Sequence, residues 1–115
     1  MSDYPIDRAV FAELKATTGP EFVVELVDTF LEEAPGMLAE LRQARASGDA
    51  DRFRRAAHSL KSNANTFGAI GLAGRTRELE LKGLDAEPAF DEAALTAVEA
   101  EFAVAAAALK ALRNG

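Results

Sequence analysis

The apolar positions of this chain fall into helical registers almost from end to end, and no segment shows the strict alternation of a half-buried strand. Asp7 is suited to cap a short first helix that carries Val10, Phe11 and Leu14 and stops near Thr17-Thr18-Gly19. Pro20 then opens a second helix, because the first turn has no use for the N–H that proline lacks. There Val23, Leu26, Val27, Phe30, Ala34, Met37, Leu38 and Leu41 recur at i, i+3, i+4, i+7 spacing. The register runs on past Pro35, which removes the hydrogen bond to the carbonyl of Leu31. The pattern therefore predicts a kink at Pro35-Gly36, with a break as the alternative.

Gly48 ends that helix, and Asp49 or Asp51 can cap a third, from about Ala50 to Phe67. Gly68 closes it. A fourth helix, weakened at its start by Gly71 and Gly74, carries Leu72, Ala73, Thr76 and Leu79 toward Leu84. Asp85-Ala86-Glu87-Pro88 reads as loop, and a last helix from about Asp91 sets Leu95, Val98, Phe102, Ala105, Leu109 and Leu112 in one seam. Short connections make successive long helices antiparallel neighbours. The expected fold is all-α: an antiparallel up-and-down four-helix bundle with a short additional N-terminal helix, forming a single domain over residues 1–115.

Composition narrows what such a bundle does. With 49% apolar and 28% charged residues the chain can bury one core and lacks the profile of a disordered segment. The absence of cysteine excludes disulfides, thiolate zinc sites and cysteine nucleophiles. Met1-Ser2-Asp3-Tyr4-Pro5 has neither a basic nor an apolar leader region, and no apolar run approaches the roughly 18 residues of a membrane span. A cytoplasmic protein without a membrane partner is expected, and the starting Met1 with no linker favours a free-standing domain.

The formal net charge of −6 argues against nucleic acid, whose phosphates dominate affinity. That charge is unevenly distributed. From Arg52 to Arg77 there are six cations and no acid, a local +6 that leaves −12 for the rest of the chain. The only histidine, His58, lies inside this stretch. A charge run is ordinarily a solvated face, but an acid-free window around a single histidine is also what a site handling an anion needs.

At 100° per residue Phe53, Ala56, Ala57, Leu60, Ala64 and Phe67 gather into one apolar arc, and His58 falls roughly 150° from its middle. Arg54, Lys61, Ser62 and Asn65, at i−4, i+3, i+4 and i+7, share its outward face. A neutral imidazole has a ring lone pair at pH 7 and is a competent nucleophile. Phosphoryl transfer to it asks mainly for position and nearby positive charge. Lys61 and Arg54 are placed to supply the charge, and Ser62 and Asn65 to offer hydrogen bonds. Other chemistries lack parts: one histidine without cysteine is a poor zinc site, no serine–histidine pair has an evident orienting third group, and there is no phosphate-binding G-x-x-x-x-G-K-[ST] loop.

The segment Ala57-His58-Ser59-Leu60-Lys61-Ser62-Asn63-Ala64-Asn65-Thr66-Phe67-Gly68-Ala69 resembles the H-x-L-K-G-S/A-x-x-x-x-G-A motif of histidine-containing phosphotransfer (HPt) domains. The upstream run from Phe30 to Pro35, the Gly48-Asp49 turn and Arg77-Glu78-Leu79-Glu80 are similar to that family too, so the resemblance spans the chain. It implies that His58 accepts a phosphoryl group, through Nε2, from the aspartate of one receiver domain and passes it to the aspartate of another. It implies that Lys61 stabilises the phosphoryl group and that Leu60 anchors the helix in the core. The implied partners are receiver domains of response regulators and of a hybrid histidine kinase, met by a monomer with no kinase activity of its own. Mg2+ is expected on the partner receiver domain, so this chain is expected to need no cofactor and no metal. Ser62 stands where the family usually has glycine, which bears on how closely a partner approaches.

Counting ten residues back from Gly48 puts Leu38 at the height of His58. Leu31, Pro35 and Leu38 form an apolar flank of the second helix, expected to join Arg55 and the His58 face in docking a receiver; the alternative is that the flank packs on the N-terminal helix. The alternative function is a non-catalytic bundle that docks on a receiver or histidine kinase without being phosphorylated.

Overall fold

A computed structural model of the chain describes residues 5–84 and 88–114. It contains α1 (Arg8–Thr18), α2 (Pro20–Ser47), α3 (Ala50–Thr66), α4 (Ile70–Lys82) and α5 (Pro88–Asn114), and no strand occurs among the described residues. Helix α3 packs between α2 and α4, α5 closes the ring against α4 and α2, and α1 lies against α2 and α3. This is the all-α bundle with a short N-terminal helix that the apolar registers predict.

The caps form where the side-chain chemistry puts them. The Asp7 carboxylate accepts hydrogen bonds from the N–H groups of Ala9 and Val10 at 3.0 and 3.3 Å, and that of Asp49 from Arg52 N–H at 3.0 Å. Pro35 does not break α2, which runs unbroken from Pro20 to Ser47. Phe30 and Ala34 before the proline and Leu41 and Ala44 after it are buried in the same core. That shared burial holds the helix across one missing hydrogen bond. Three boundaries shift slightly from the expected ones. Helix α3 ends at Thr66 with Phe67 as its cap, and α4 ends at Lys82 because Gly83 turns the chain. Helix α5 begins at Pro88 rather than Asp91, since proline is accommodated in a first turn. The loop expected over Asp85–Glu87 lies outside the described residues.

The core that sets the rotation of α3 contains Phe53, Ala57, Leu60 and Ala64, all fully buried. Phe67 stacks on Phe30 with ring centroids 5.2 Å apart, and Phe102 meets Phe30 edge-on at 6.0 Å. Helices α2 and α5 are tied along their shared edge by Arg42, whose Nε and Nη2 each lie 2.7 Å from a Glu99 oxygen, and by Arg113, which pairs with Asp28. Among the described residues no helix is long and apolar enough to cross a membrane.

Candidate functional site

His58 lies midway along α3, between buried Ala57 and, two residues on, buried Leu60, so the packing of the arc forces its ring outward. Its side chain is 61% exposed. The ring is nevertheless held: Nδ1 lies 2.6 Å from Oε2 of Glu80 on α4. The other carboxylate oxygen, Oε1, accepts a hydrogen bond from the Lys61 ammonium. One carboxylate thus bridges two α3 side chains a turn apart, and Nε2 has no hydrogen-bond partner among the described residues. Glu80 reaches this place because Thr76 and Leu79 are buried, which turns the next position toward α3. Its carboxyl is held below the usual carboxylate range, first by the Lys61 hydrogen bond and then by that from His58, against a smaller opposing effect of burial.

The remaining residues expected at the site divide into two groups. Arg54 is exposed one turn before His58, and its Nη2 lies 3.4 Å from where a Cβ on Gly83 would stand, so its guanidinium leans over the C-terminal end of α4. Ser62 and Asn65 are exposed on the same helix, with side chains that have no hydrogen-bond partner among the described residues. Arg54, His58, Lys61, Ser62 and Asn65 therefore line one face.

Leu31, Pro35 and Leu38 do not join that face. They lie on the same stripe of α2 as Asp28, Arg42 and Arg45, all of which pair with residues of α5. Leu31 and Leu38 pack against the core and Pro35 is exposed. Counting from the Gly48 turn sets the height of a residue on its helix but not the side it faces, and the side is what differs here. Arg55 pairs with Asp51 at 3.3 Å and lines an open groove between α2 and α3, together with Glu32, Glu33, Gly36, Met37, Glu40, Arg52, Ala56 and Ser59.

The acid-free window of the sequence is not acid-free in space. Glu40 of α2 accepts from Arg52 at 2.6 and 2.7 Å, Asp51 pairs with Arg55, and Glu80 takes Lys61. Arg54, Arg75 and Arg77 have no ion-pair partner among the described residues. Glu80 is the site residue that sequence reasoning missed, since it lies three positions beyond the basic stretch and on another helix. Counting across Gly68, as across Gly48, would have placed Glu78 opposite His58, within one turn of Glu80.

An imidazole held at one nitrogen and without a partner at the other among the described residues, on the outside of a four-helix bundle with cations on its face, is chemically able to take up a phosphoryl group. The comparisons with known proteins define the class further. The Hpt domain family model matches residues 25–115, and the chain belongs to that family. The fold is similar to the crystal structure of histidine-containing phosphotransfer protein B (HptB) from Pseudomonas aeruginosa PAO1. The TM-score is 0.87 and the identity 34%, over 98% of this chain and 97% of that one. No match was found among curated protein sequences. The protein is a histidine phosphotransfer intermediate of a phosphorelay, and proteins of its family interact with receiver domains.

Proposed function

We propose that His58 is the phosphoacceptor and that Nε2 is the atom that reacts. The observation that carries this reading is that the only histidine of the chain is exposed, anchored at Nδ1, and without a hydrogen-bond partner at Nε2 among the described residues. The Nε2 lone pair attacks the phosphorus of a receiver's aspartyl phosphate. A P–N bond forms as the P–O bond to the aspartate breaks, and the electron pair of that bond returns to the aspartate carboxylate. Transfer to a second receiver reverses these steps. Lys61 stabilises the equatorial oxygens, Arg54 adds a second positive charge, and Ser62 and Asn65 offer hydrogen bonds at the edge of the site.

The donor and acceptor are receiver domains of a hybrid histidine kinase and of response regulators, met in the cytoplasm by a monomeric, single-domain carrier. Mg2+ comes with the receiver. The docking surface in this reading is the exposed face of α3 around His58, extended by Arg55, without the Leu31–Pro35–Leu38 flank. No specific observation favours a bundle that docks without being phosphorylated. Mixing the protein with phosphorylated receivers is expected to give an acid-labile, base-stable adduct that His58→Gln does not form. Absence of labelling by every receiver of the source organism would overturn the reading.

A further inference from the structure

The transfer chemistry is the same for every receiver, so selection among receivers has to come from contacts beyond the reacting atoms. A specific complex covers about 800 Å2 on each partner, a patch roughly 30 Å across. One helix is only about 10–12 Å wide, so a receiver set over His58 extends past α3 onto its neighbours. On the α4 side, Leu81 directly follows Glu80, whose carboxylate meets both His58 and Lys61. Ile70, Gly74, Arg77 and Leu81 stand at i, i+4, i+7 and i+11, and all four are exposed. Leu72, Ala73, Thr76 and Leu79, on the opposite side of the helix, are buried. The four exposed positions are therefore the outermost ridge of α4, roughly 16 Å long, running beside the His58 face.

Three features of this ridge have no role in the isolated bundle. Ile70 is 47% and Leu81 70% exposed, so two large apolar side chains stand in water on one stripe. Gly74 lies in a helix interior, where glycine is a poor helix former. Its φ is not positive, and a Cβ built on it meets nothing within 4 Å, so neither backbone conformation nor internal packing calls for glycine there. Gly71 differs, since a Cβ on it would stand 2.8 Å from a Glu101 oxygen. Arg77 has no ion-pair partner among the described residues. A bare stretch of helix between exposed aliphatic side chains admits an apolar group at close range. An unpaired cation suits the anionic surroundings of a phosphorylated aspartate. We propose that this α4 ridge is the part of the docking surface that selects among receivers. An apolar side chain of the preferred receiver rests on Gly74, flanked by Ile70 and Leu81, and an acidic residue beside it pairs with Arg77. This rests on the reading of His58 as the phosphoacceptor.

The test is a short-time transfer profile of the full chain against the phosphorylated receivers of the source organism, for the wild type, Gly74→Gln, Arg77→Glu and the double variant Ile70→Ser/Leu81→Ser. Each variant is expected to slow transfer from the fastest receiver roughly tenfold, the scale of losing one well-packed contact or ion pair at an interface. The slowest receivers are expected to change by less than about threefold, so the spread among receivers narrows. Labelling by phosphoramidate, a small donor that needs no docking surface, monitors His58 itself in each folded variant. The urea midpoint of Gly74→Gln is expected to rise, because a better helix former replaces glycine where nothing is in its way. Transfer at the wild-type rate in folded Gly74→Gln and Ile70→Ser/Leu81→Ser proteins, or an equal slowing with every receiver, overturns the selective role of the ridge. A wild type that neither phosphoramidate nor any receiver labels overturns instead the assignment of His58.

Discussion

The backbone N–H of Asp7 donates a 2.7 Å hydrogen bond to the carbonyl of Gly68, fastening the start of α1 to the turn between α3 and α4. Gly68 has φ +76°, and a Cβ placed there would stand 2.9 Å from both the Asp7 carbonyl oxygen and the Val10 Cβ. The close approach of α1 therefore depends on a bare backbone in a left-handed conformation. Gly68→Ala is expected to lose about 2 kcal/mol or more, combining roughly 1–2 kcal/mol of backbone strain with displacement of α1. Urea unfolding checks the magnitude. The folded fraction should still be phosphorylated at the wild-type rate, because the turn is remote from the His58 ring.

Two neighbouring positions on α3 separate loss of fold from loss of chemistry. Leu60 is fully buried, and Leu60→Ala is expected to cost about 2–5 kcal/mol through lost burial and the cavity left behind. His58 is mostly exposed, so His58→Gln is expected to change stability by no more than about 0.5 kcal/mol while abolishing the phosphoryl adduct. Denaturation midpoints of the two variants, measured beside their labelling, should show opposite patterns.

Acid should weaken the bundle through identifiable carboxylates. Glu40, Glu80 and Glu99 are each held below the ordinary glutamate value, chiefly by hydrogen bonds from Arg52, Lys61 and Arg42 respectively. A group whose folded pKa is depressed contributes stability that is complete above its unfolded value and is lost as pH falls through the folded one. The expected result is a denaturation midpoint that stays level down to about the ordinary glutamate value of 4.3 and then falls. Arg42→Met should flatten that fall by releasing Glu99. It should cost less than about 1 kcal/mol at neutral pH, as partly exposed ion pairs do.

The helices and the orientation of His58 were legible in the sequence because each depends on a local repeat. The arc from Phe53 to Phe67 determines which way residue 58 points whatever packs against it. Pro35 could not be settled so locally, since the outcome depended on burial of Leu41 and Ala44 beyond it. Two further features required knowing which helix lies on which side. Leu38 has the expected height on α2, yet its stripe runs toward α5. Glu80 lies outside the basic segment in sequence and completes it in space. Charge counted along the chain registered the cations Arg52, Arg55 and Lys61 but not their partners, two of which, Glu40 and Glu80, come from neighbouring helices.

That difference in placement makes Arg54 and Leu38 an informative pair of substitutions. Arg54 has no ion-pair partner among the described residues and leans from the His58 face over the end of α4. Arg54→Glu replaces an exposed cation beside the proposed phosphoryl position with an anion. It is expected to slow transfer from a phosphorylated receiver, more strongly at low salt than at high salt, because exposed charges more than about 8–10 Å apart are screened at moderate ionic strength. Its stability should stay within about 0.5 kcal/mol of the wild type. Leu38 packs partly buried against the core on the α5 side of α2. Leu38→Gln is therefore expected to cost about 1 kcal/mol of stability, the cost of losing part of a leucine's burial, and to leave the transfer rate of the folded protein unchanged. Stopped-flow transfer rates at two salt concentrations, with urea midpoints for both variants, test the assignment. Slowed transfer in Leu38→Gln with normal transfer in Arg54→Glu would return the docking surface to the α2 flank.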